Sequence, residues 1–219
     1  QAFDMTKIID LLTEDTIPEG AFVTAGFDGA RFRDATAIVI TDINTGVQQC
    51  MASWEKPLDW PEDQEWEVDE AEVFTVWQHI MKTYELHTAF CDPPHWTESV
   101  ASWSALWPDV FLEWWTNRPK QMAYAVRAYI EAHDAGLIRY GANTLRPELL
   151  RHLGNSGKKE LKFPDDEGKP LYVLQKMDGR LEDRIDVAMA GVLSWEALLD
   201  ARRTGAKPRL KVGVPRRLY

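Results

Sequence analysis

The sequence predicts an α/β protein with a mixed central sheet flanked by helices, and three observations support this. First, three apolar segments separated by turn residues open the chain, which predicts an antiparallel meander of three strands. Second, helical and strand patterns then alternate, as is typical of parallel strands joined by crossover helices. Third, a chain of 219 residues can bury one substantial core. We therefore expect one main domain.

The predicted meander comprises residues 21–28, 37–40 and 47–54, with the turn Asn44-Thr45-Gly46 before its third strand. The first strand ends in Asp28, which Gly29 follows. This pattern fits an aspartate in a turn as well as it fits a metal ligand. Asp28 on its own does not distinguish a turn residue from a metal ligand.

The second half alternates between strands and helices. Asp69 is predicted to cap a helix whose apolar stripe extends to Tyr84, and a buried strand then ends at Asp92 before two prolines. Further helices are predicted over residues 95–107, 119–136, 145–153 and 181–203, a fifth strand over 110–115, and a β-hairpin over 161–163 and 171–175. Residues 154–159 are predicted to form a mobile basic loop.

This order of elements is that of the RNase H-like fold, with a β-hairpin inserted before the last helix. In that order the first and fourth strands are neighbours, so Asp28 and Asp92 are expected at one edge of the sheet. The last helix is expected to add a carboxylate, because Glu182 and Asp183 lie four and three residues before Asp186 and would share its helix face.

Three carboxylates at one sheet edge suit divalent cations. Hard oxygen ligands hold Mg²⁺ or Mn²⁺, and two such ions about 4 Å apart can activate water and stabilise a leaving 3′-oxygen. Taken singly, Asp92 fits a strand-end cap before proline and Asp186 fits a solvated helix residue. Their order along the chain, with Asp28, favours a metal site.

Several motifs resemble the nuclease domain of tailed-bacteriophage terminase large subunits. They are Gly26-Phe27-Asp28-Gly29-Ala30, Cys91-Asp92-Pro93 and Arg184-Ile185-Asp186-Val187-Ala188, and the resemblance extends over residues 21–201. It implies that Asp28, Asp92 and Asp186 are the catalytic, metal-binding triad, with Asp34 and Asp183 as accessory candidates. The sequence departs from the motif at Gly29-Ala30-Arg31, after the first aspartate, where serine or threonine is often expected.

The resemblance also implies a function and partners. It indicates a metal-dependent endonuclease that cuts concatemeric viral DNA with two Mg²⁺ or Mn²⁺ ions, in the cytoplasm of the host. The implied partners are double-stranded DNA, a packaging ATPase domain in the same polypeptide, the portal protein and the terminase small subunit. Residues 1–20 would be the lead-in from that ATPase, 21–203 the nuclease domain, and 204–219 a basic tail.

Charge is unevenly distributed along a chain whose formal net charge is −10. Eight acids and no base lie within residues 59–72, whereas residues 202–219 hold seven bases and no acid. The basic tail could bind DNA or the portal. Lysines near the inserted hairpin are the predicted DNA-phosphate contacts: Lys158, Lys159, Lys162 and Lys176.

The sequence argues against a membrane span and against a zinc site. No apolar run approaches the roughly 20 residues of a membrane span, so no membrane partner is expected. Cys50 and Cys91 have no cysteine or histidine at metal spacing, which argues against a zinc site.

Two alternatives to a nuclease stay open. A docking module of the packaging motor could use the acidic segment, residues 59–72, and the basic tail to bind the portal and small subunit, without catalysis. Sugar kinases and actin-like ATPases also begin with a glycine, an aspartate and a hairpin, but the glycine-rich phosphate loops they need are not found here.

Overall fold

The computed structural model describes residues 1–30, 35–57, 59–61, 63–179 and 183–209. Its elements, in chain order, are α1 (Met5–Asp10), β1 (Phe22–Gly29), β2 (Thr36–Asp42), β3 (Val47–Trp54), α2 (Glu70–Thr83), β4 (Glu85–Cys91), α3 (Thr97–Leu106), β5 (Phe111–Glu113), α4 (Pro119–Asp134), β6 (Arg139–Tyr140), α5 (Arg146–Gly154), β7 (Ser156–Glu160), β8 (Tyr172–Lys176) and α6 (Asp186–Arg203).

A six-stranded mixed sheet forms the centre of the molecule, with strand order β5-β4-β1-β2-β3-β6. The strands β1, β2 and β3 pair antiparallel, and β4 lies parallel to β1 and to β5. The predicted neighbours β1 and β4 are therefore adjacent. The short strand β6, which the sequence pattern did not predict, pairs parallel with the start of β3.

Helices cover both faces of the sheet, because the strands alternate apolar side chains between the two faces. On one face, α4, α5 and α6 pack over side chains such as Phe22, Val39 and Phe90. On the other, α2 and α3 pack over Phe27 and Ile38 through a tryptophan cluster. Ala2, Phe3 and Ile8 of the N-terminal segment join the first of these cores.

The inserted hairpin is confirmed in its second strand, which was predicted over 171–175, but its first strand lies earlier than predicted. Its strands are β7 and β8, which pair antiparallel from Ser156↔Lys176 to Glu160↔Tyr172. Residues 161–163, predicted as the first strand, follow β7 instead. The mobile basic loop predicted over residues 154–159 is likewise wrong, because this segment ends α5 and forms most of β7.

The last helix begins later than predicted, at Asp186 rather than at residue 181. Asp183 therefore precedes α6, and the predicted sharing of a helix face between Asp183 and Asp186 is wrong. Glu182 lies outside the described residues. Within the part of the chain that the structure describes, no helix combines the length and apolarity that a bilayer crossing requires.

Candidate metal centre

Helix α6 lies directly against β1, at two successive contacts. The Thr24 hydroxyl donates a hydrogen bond to the Ser194 carbonyl oxygen at 2.9 Å. Two residues further along β1, a Cβ atom added to Gly26 would lie 2.0 Å from the Ala190 carbonyl oxygen. Since residue numbers rise along β1 and fall along α6, the two elements cross in opposite directions.

The next step of the same pattern joins two of the predicted ligands. Thr24, Gly26 and Asp28 share one face of β1, because strand side chains alternate. Four helical residues rise about 6 Å and two strand residues about 6.6 Å, so the two rows stay in step. Asp186 lies one turn before Ala190, so one further step of the pattern predicts that it lies near Asp28.

Asp92 joins this pair from the neighbouring strand. Phe27 pairs with Cys91 in the parallel ladder, and the Asp92 N–H donates to the Phe27 carbonyl oxygen at 3.0 Å. Phe90 packs in the core on the α6 side of the sheet. By strand alternation, Asp92 projects toward that side as well. The structure thus places Asp28, Asp92 and Asp186 at one end of the sheet and on one face.

Thr116 fixes the Asp92 carboxylate. Its backbone N–H donates to Asp92 Oδ1 at 3.0 Å, and its hydroxyl donates to Oδ2 at 2.8 Å. Asp92 is only 8% exposed, and burial raises the pKa of its carboxyl group, while the hydrogen bonds from Thr116 oppose the rise. Asp186 is equally enclosed, at 7% exposure.

The donor set fits a hard divalent cation. Buried carboxylates are costly unless a cation or hydrogen bonds compensate their charge, and Mg²⁺ and Mn²⁺ prefer carboxylate oxygen. Among the described residues, Asp183 Oδ2 is a buried oxygen with no hydrogen-bond partner. Asp183 is not on α6, but it lies three residues before Asp186 and is still a candidate accessory ligand. Asp34 lies outside the described residues.

The predicted DNA-contacting lysines of the hairpin lie at different distances from the carboxylates. Lys158 and Lys159 are exposed on β7, and Lys162 is exposed just after it. Lys158 lines a cavity with Asp134, at the C-terminal end of α4, whereas Thr116 precedes the other end of that helix. A helix of 16 residues spans about 24 Å, so Lys158 is remote from the carboxylates.

Lys176 is nearer to the carboxylates along the chain. It pairs with Ser156, and the preceding Asn155 donates a side-chain hydrogen bond to the Arg184 carbonyl oxygen at 3.1 Å. Arg184 is two residues before Asp186. Phosphate binding by the four lysines stays a prediction.

A separate polar cluster has spacing that could suit a metal ion. One potential ligand atom each from Glu55, Glu148 and His152 lie within 4.8 Å of one another. The same Arg151 guanidinium nitrogen, however, lies 2.5 Å from both carboxylates and 3.1 Å from His152 Nε2. Because this cation already occupies the centre, we interpret the cluster as an ion-pair network.

Sequence reasoning missed two supports of the site. Gly26 interrupts an apolar strand, and a glycine inside a strand is a signal of close backbone approach. That signal was available. Thr116 carries no local signal, since its contact with Asp92 spans 24 residues and depends on how the β5–α4 connection folds back.

Three solved structures show where this architecture occurs. The large terminase nuclease of thermophilic phage G20c with bound magnesium has a TM-score of 0.62 and 11% identity, covering 90% of this chain and 96% of that one. The nuclease domain of the Thermus phage P74-26 large terminase gives a TM-score of 0.57 and 11% identity, with coverages of 87% and 93%.

The HK97 bacteriophage large terminase gives a TM-score of 0.63 and 18% identity over 90% of this chain, but over only 43% of its own length. The chain has the RNase H-like fold of the phage large-terminase nucleases. This confirms the predicted fold class and the family resemblance at the level of fold. Neither a protein-family model nor a curated protein sequence matches this chain.

Proposed function

We propose that this chain is a metal-dependent DNA endonuclease that cuts concatemeric viral DNA during genome packaging. The observation that supports the proposal is the packing of α6 on β1 at Thr24 and Gly26, because one further turn of the same register predicts Asp186 near Asp28 and beside Asp92. The packaging role is supported by the fold, because solved structures of phage large-terminase nucleases share the architecture that carries these three aspartates here.

Asp28, Asp92 and Asp186 are the proposed ligands of two Mg²⁺ or Mn²⁺ ions, with Asp183 and Asp34 as accessory candidates. When bound, such ions activate a water molecule and stabilise the leaving 3′-oxygen of a phosphodiester. The protein's own part is to hold the ligands. Thr116 donates a hydrogen bond to each oxygen of Asp92, and the close packing of α6 on β1 at Gly26 is the proposed support for the position of Asp186 relative to Asp28.

The proposed substrate is double-stranded DNA, with its phosphates held by the hairpin lysines. Lys176 is the strongest candidate, because its end of the hairpin adjoins the segment that leads into Asp186. The further proposed partners are an ATPase domain of the same polypeptide, the portal protein and the small subunit, in the host cytoplasm. The acidic segment and the basic tail are candidate surfaces for these proteins.

Cleavage of supercoiled plasmid in Mn²⁺ tests this function. Wild-type protein should nick and linearise the plasmid, EDTA should abolish cutting, and Asp28→Asn and Asp186→Asn should each abolish it too. These variants keep the side-chain shape and remove the charge that the ions require. Asp10→Asn is a matched control, because Asp10 is exposed on α1.

Two results would overturn the assignment. Cutting that persists in Asp28→Asn and Asp186→Asn would show that another group, or a contaminant, is responsible. A folded wild-type protein that neither binds Mn²⁺ nor cuts DNA, alone or joined to its proposed ATPase, would instead favour a docking role.

A further inference from the structure

The first turn of α6 receives its hydrogen-bond acceptor from another helix. The first N–H groups of any α-helix lack an acceptor within the helix. Here Ile185 occupies the N-cap position, and its side chain has no acceptor atom. The Val187 N–H, which belongs to a fully buried residue, instead donates to Nδ1 of His152 at 3.0 Å.

Both ring nitrogens of His152 are assigned by their partners. A backbone N–H can only donate, so Nδ1 must be the unprotonated acceptor. Nε2 then carries the ring proton and donates to Glu55 Oε1 at 2.7 Å, while the Arg151 nitrogen 3.1 Å from Nε2 donates to the carboxylates of Glu55 and Glu148 instead. His152 is 0% exposed, so no water competes for either bond. The carboxylate and the helix N–H together fix one tautomer and one ring orientation.

The same network fastens the chain just before α6. Asn155 donates to the Arg184 carbonyl oxygen at 3.1 Å, and the Arg184 guanidinium lies 3.5 Å from Glu55. The segment leading into the helix and its first turn are thus both held by residues at the end of α5 and by Glu55. Asp186, the first residue of α6, lies between these two attachment points.

We propose that His152, held by Glu55, is a positioning residue that fixes the Asp186 carboxylate for metal binding; this inference rests on the proposed nuclease function. His152 bonds to the residue after the ligand rather than to the ligand itself, and we take as a guide that loss of groups that orient metal ligands typically lowers metal affinity or activity about 10–100-fold. His152 itself does not ligate the ions, since its Nδ1 serves Val187 and its Nε2 serves Glu55.

Two substitutions of His152 that differ in side-chain length test the proposal. The side-chain oxygen of His152→Asn can lie near the position of Nδ1 and still accept from Val187. The oxygen of His152→Gln lies one bond further out, near the position of Nε2. We expect calorimetric Mn²⁺ titration to show that His152→Gln binds Mn²⁺ about 10–100-fold more weakly than wild type. His152→Asn should bind Mn²⁺ with an affinity close to that of wild type.

A readout without metal accompanies the titration. In ion-free protein, amide hydrogen exchange should show a protected Val187 N–H in wild type and His152→Asn, and an accelerated one in His152→Gln. His133→Phe is the matched control, because His133 is also buried but bonds to Tyr129 and Tyr140, and the Tyr129 hydroxyl adjoins α6 at Gly191 rather than at its first turn. Because that contact with α6 is at Gly191, after the first turn that holds Asp186, this control should keep wild-type Mn²⁺ affinity.

The outcomes separate the two proposals. If wild type binds no Mn²⁺, or Asp28→Asn binds it equally well, the nuclease proposal fails and this inference fails with it. If Asp28→Asn loses binding while His152→Gln keeps it, the positioning role alone is overturned. Equal losses in His152→Asn, His152→Gln and His133→Phe would also overturn it, since they would reflect general destabilisation.

Discussion

Replacing Gly26 with alanine should disrupt both the fold and the proposed metal site. The added Cβ atom would lie 2.0 Å from the Ala190 carbonyl oxygen and 2.5 Å from the Ser194 nitrogen, both in the backbone of α6. Ordinary contact begins near 3.4 Å, so the strand and helix must separate by about 1.4 Å. A backbone clash of this kind costs about 1–3 kcal/mol or more.

The same separation would move Asp186 away from Asp28. Metal–oxygen distances tolerate about 0.2 Å, and misplacement of a reacting group by 1 Å can cost about 100-fold in rate. We therefore expect Gly26→Ala to lose at least about 100-fold in Mn²⁺-dependent plasmid cleavage and to unfold at lower urea concentration. Both quantities should be measured on the same preparation.

Gly154→Ala is the matched control. The nearest atoms to an added Cβ there belong to the Met5 side chain, 3.9 Å away, and the glycine lies within α5. Replacing a helical glycine by alanine stabilises by about 0.5–1 kcal/mol where space allows. Wild-type cleavage and stability in Gly26→Ala would refute the close packing of α6 on β1, and with it the argument for the site.

Three further predictions concern buried polar groups. Thr116→Val removes one hydrogen bond to Asp92, so the Asp92 pKa should rise further and the pH midpoint of Mn²⁺ binding should shift upward; an unchanged midpoint in calorimetry would contradict this. Burial lowers the pKa of His133 from 6.5 to about 4. Between pH 6.5 and about pH 4, therefore, His133 is protonated in the unfolded chain but not in the native protein. The free energy of unfolding should consequently fall by about 3 kcal/mol as pH drops through this window, a slope that urea titrations of His133→Phe should lack. Burial raises the pKa of Cys50 to about 12 and that of Cys91 also well above its usual value, so neither thiol should react with iodoacetamide at pH 8 until the protein is unfolded; mass spectrometry of native protein would detect any exception.

The order of elements was enough to place two of the three carboxylates. Asp28 and Asp92 each end an apolar strand, and right-handed crossover connections restrict which strands become neighbours. The pairing of Phe27 with Cys91 confirms that β1 and β4 are adjacent. Local pattern and topology act together here, so sequence reasoning succeeds.

The start of α6 could not be predicted because its cap is not local. Sequence rules look for serine, threonine or aspartate at the N-cap. Here the acceptor for Val187 is His152, 35 residues earlier, which in turn depends on Glu55, 97 residues before it. No window of sequence contains such a network. The apolar periodicity after residue 181 therefore extended the predicted helix too far toward its N-terminus.

The prediction of the first hairpin strand was wrong for a related reason. Ser156 to Glu160 shows no alternation of apolar residues, and only its first two members are buried. The strand forms because its backbone pairs with β8, which supplies the apolar Leu174 to the core. Backbone pairing needs no particular side chains, so a polar strand of this kind is invisible to hydrophobic periodicity.

Fold stability and the proposed chemistry depend on the same contact. Small residues at Gly26 and Ala190 let the backbones of β1 and α6 approach, and the polar pair of Thr24 and Ser194 secures the next turn. Asp186 continues this row at the residue where α6 begins. Any change that loosens the packing along α6 should therefore weaken metal binding before it unfolds the domain, because ligand geometry tolerates far smaller displacements than a hydrophobic core does.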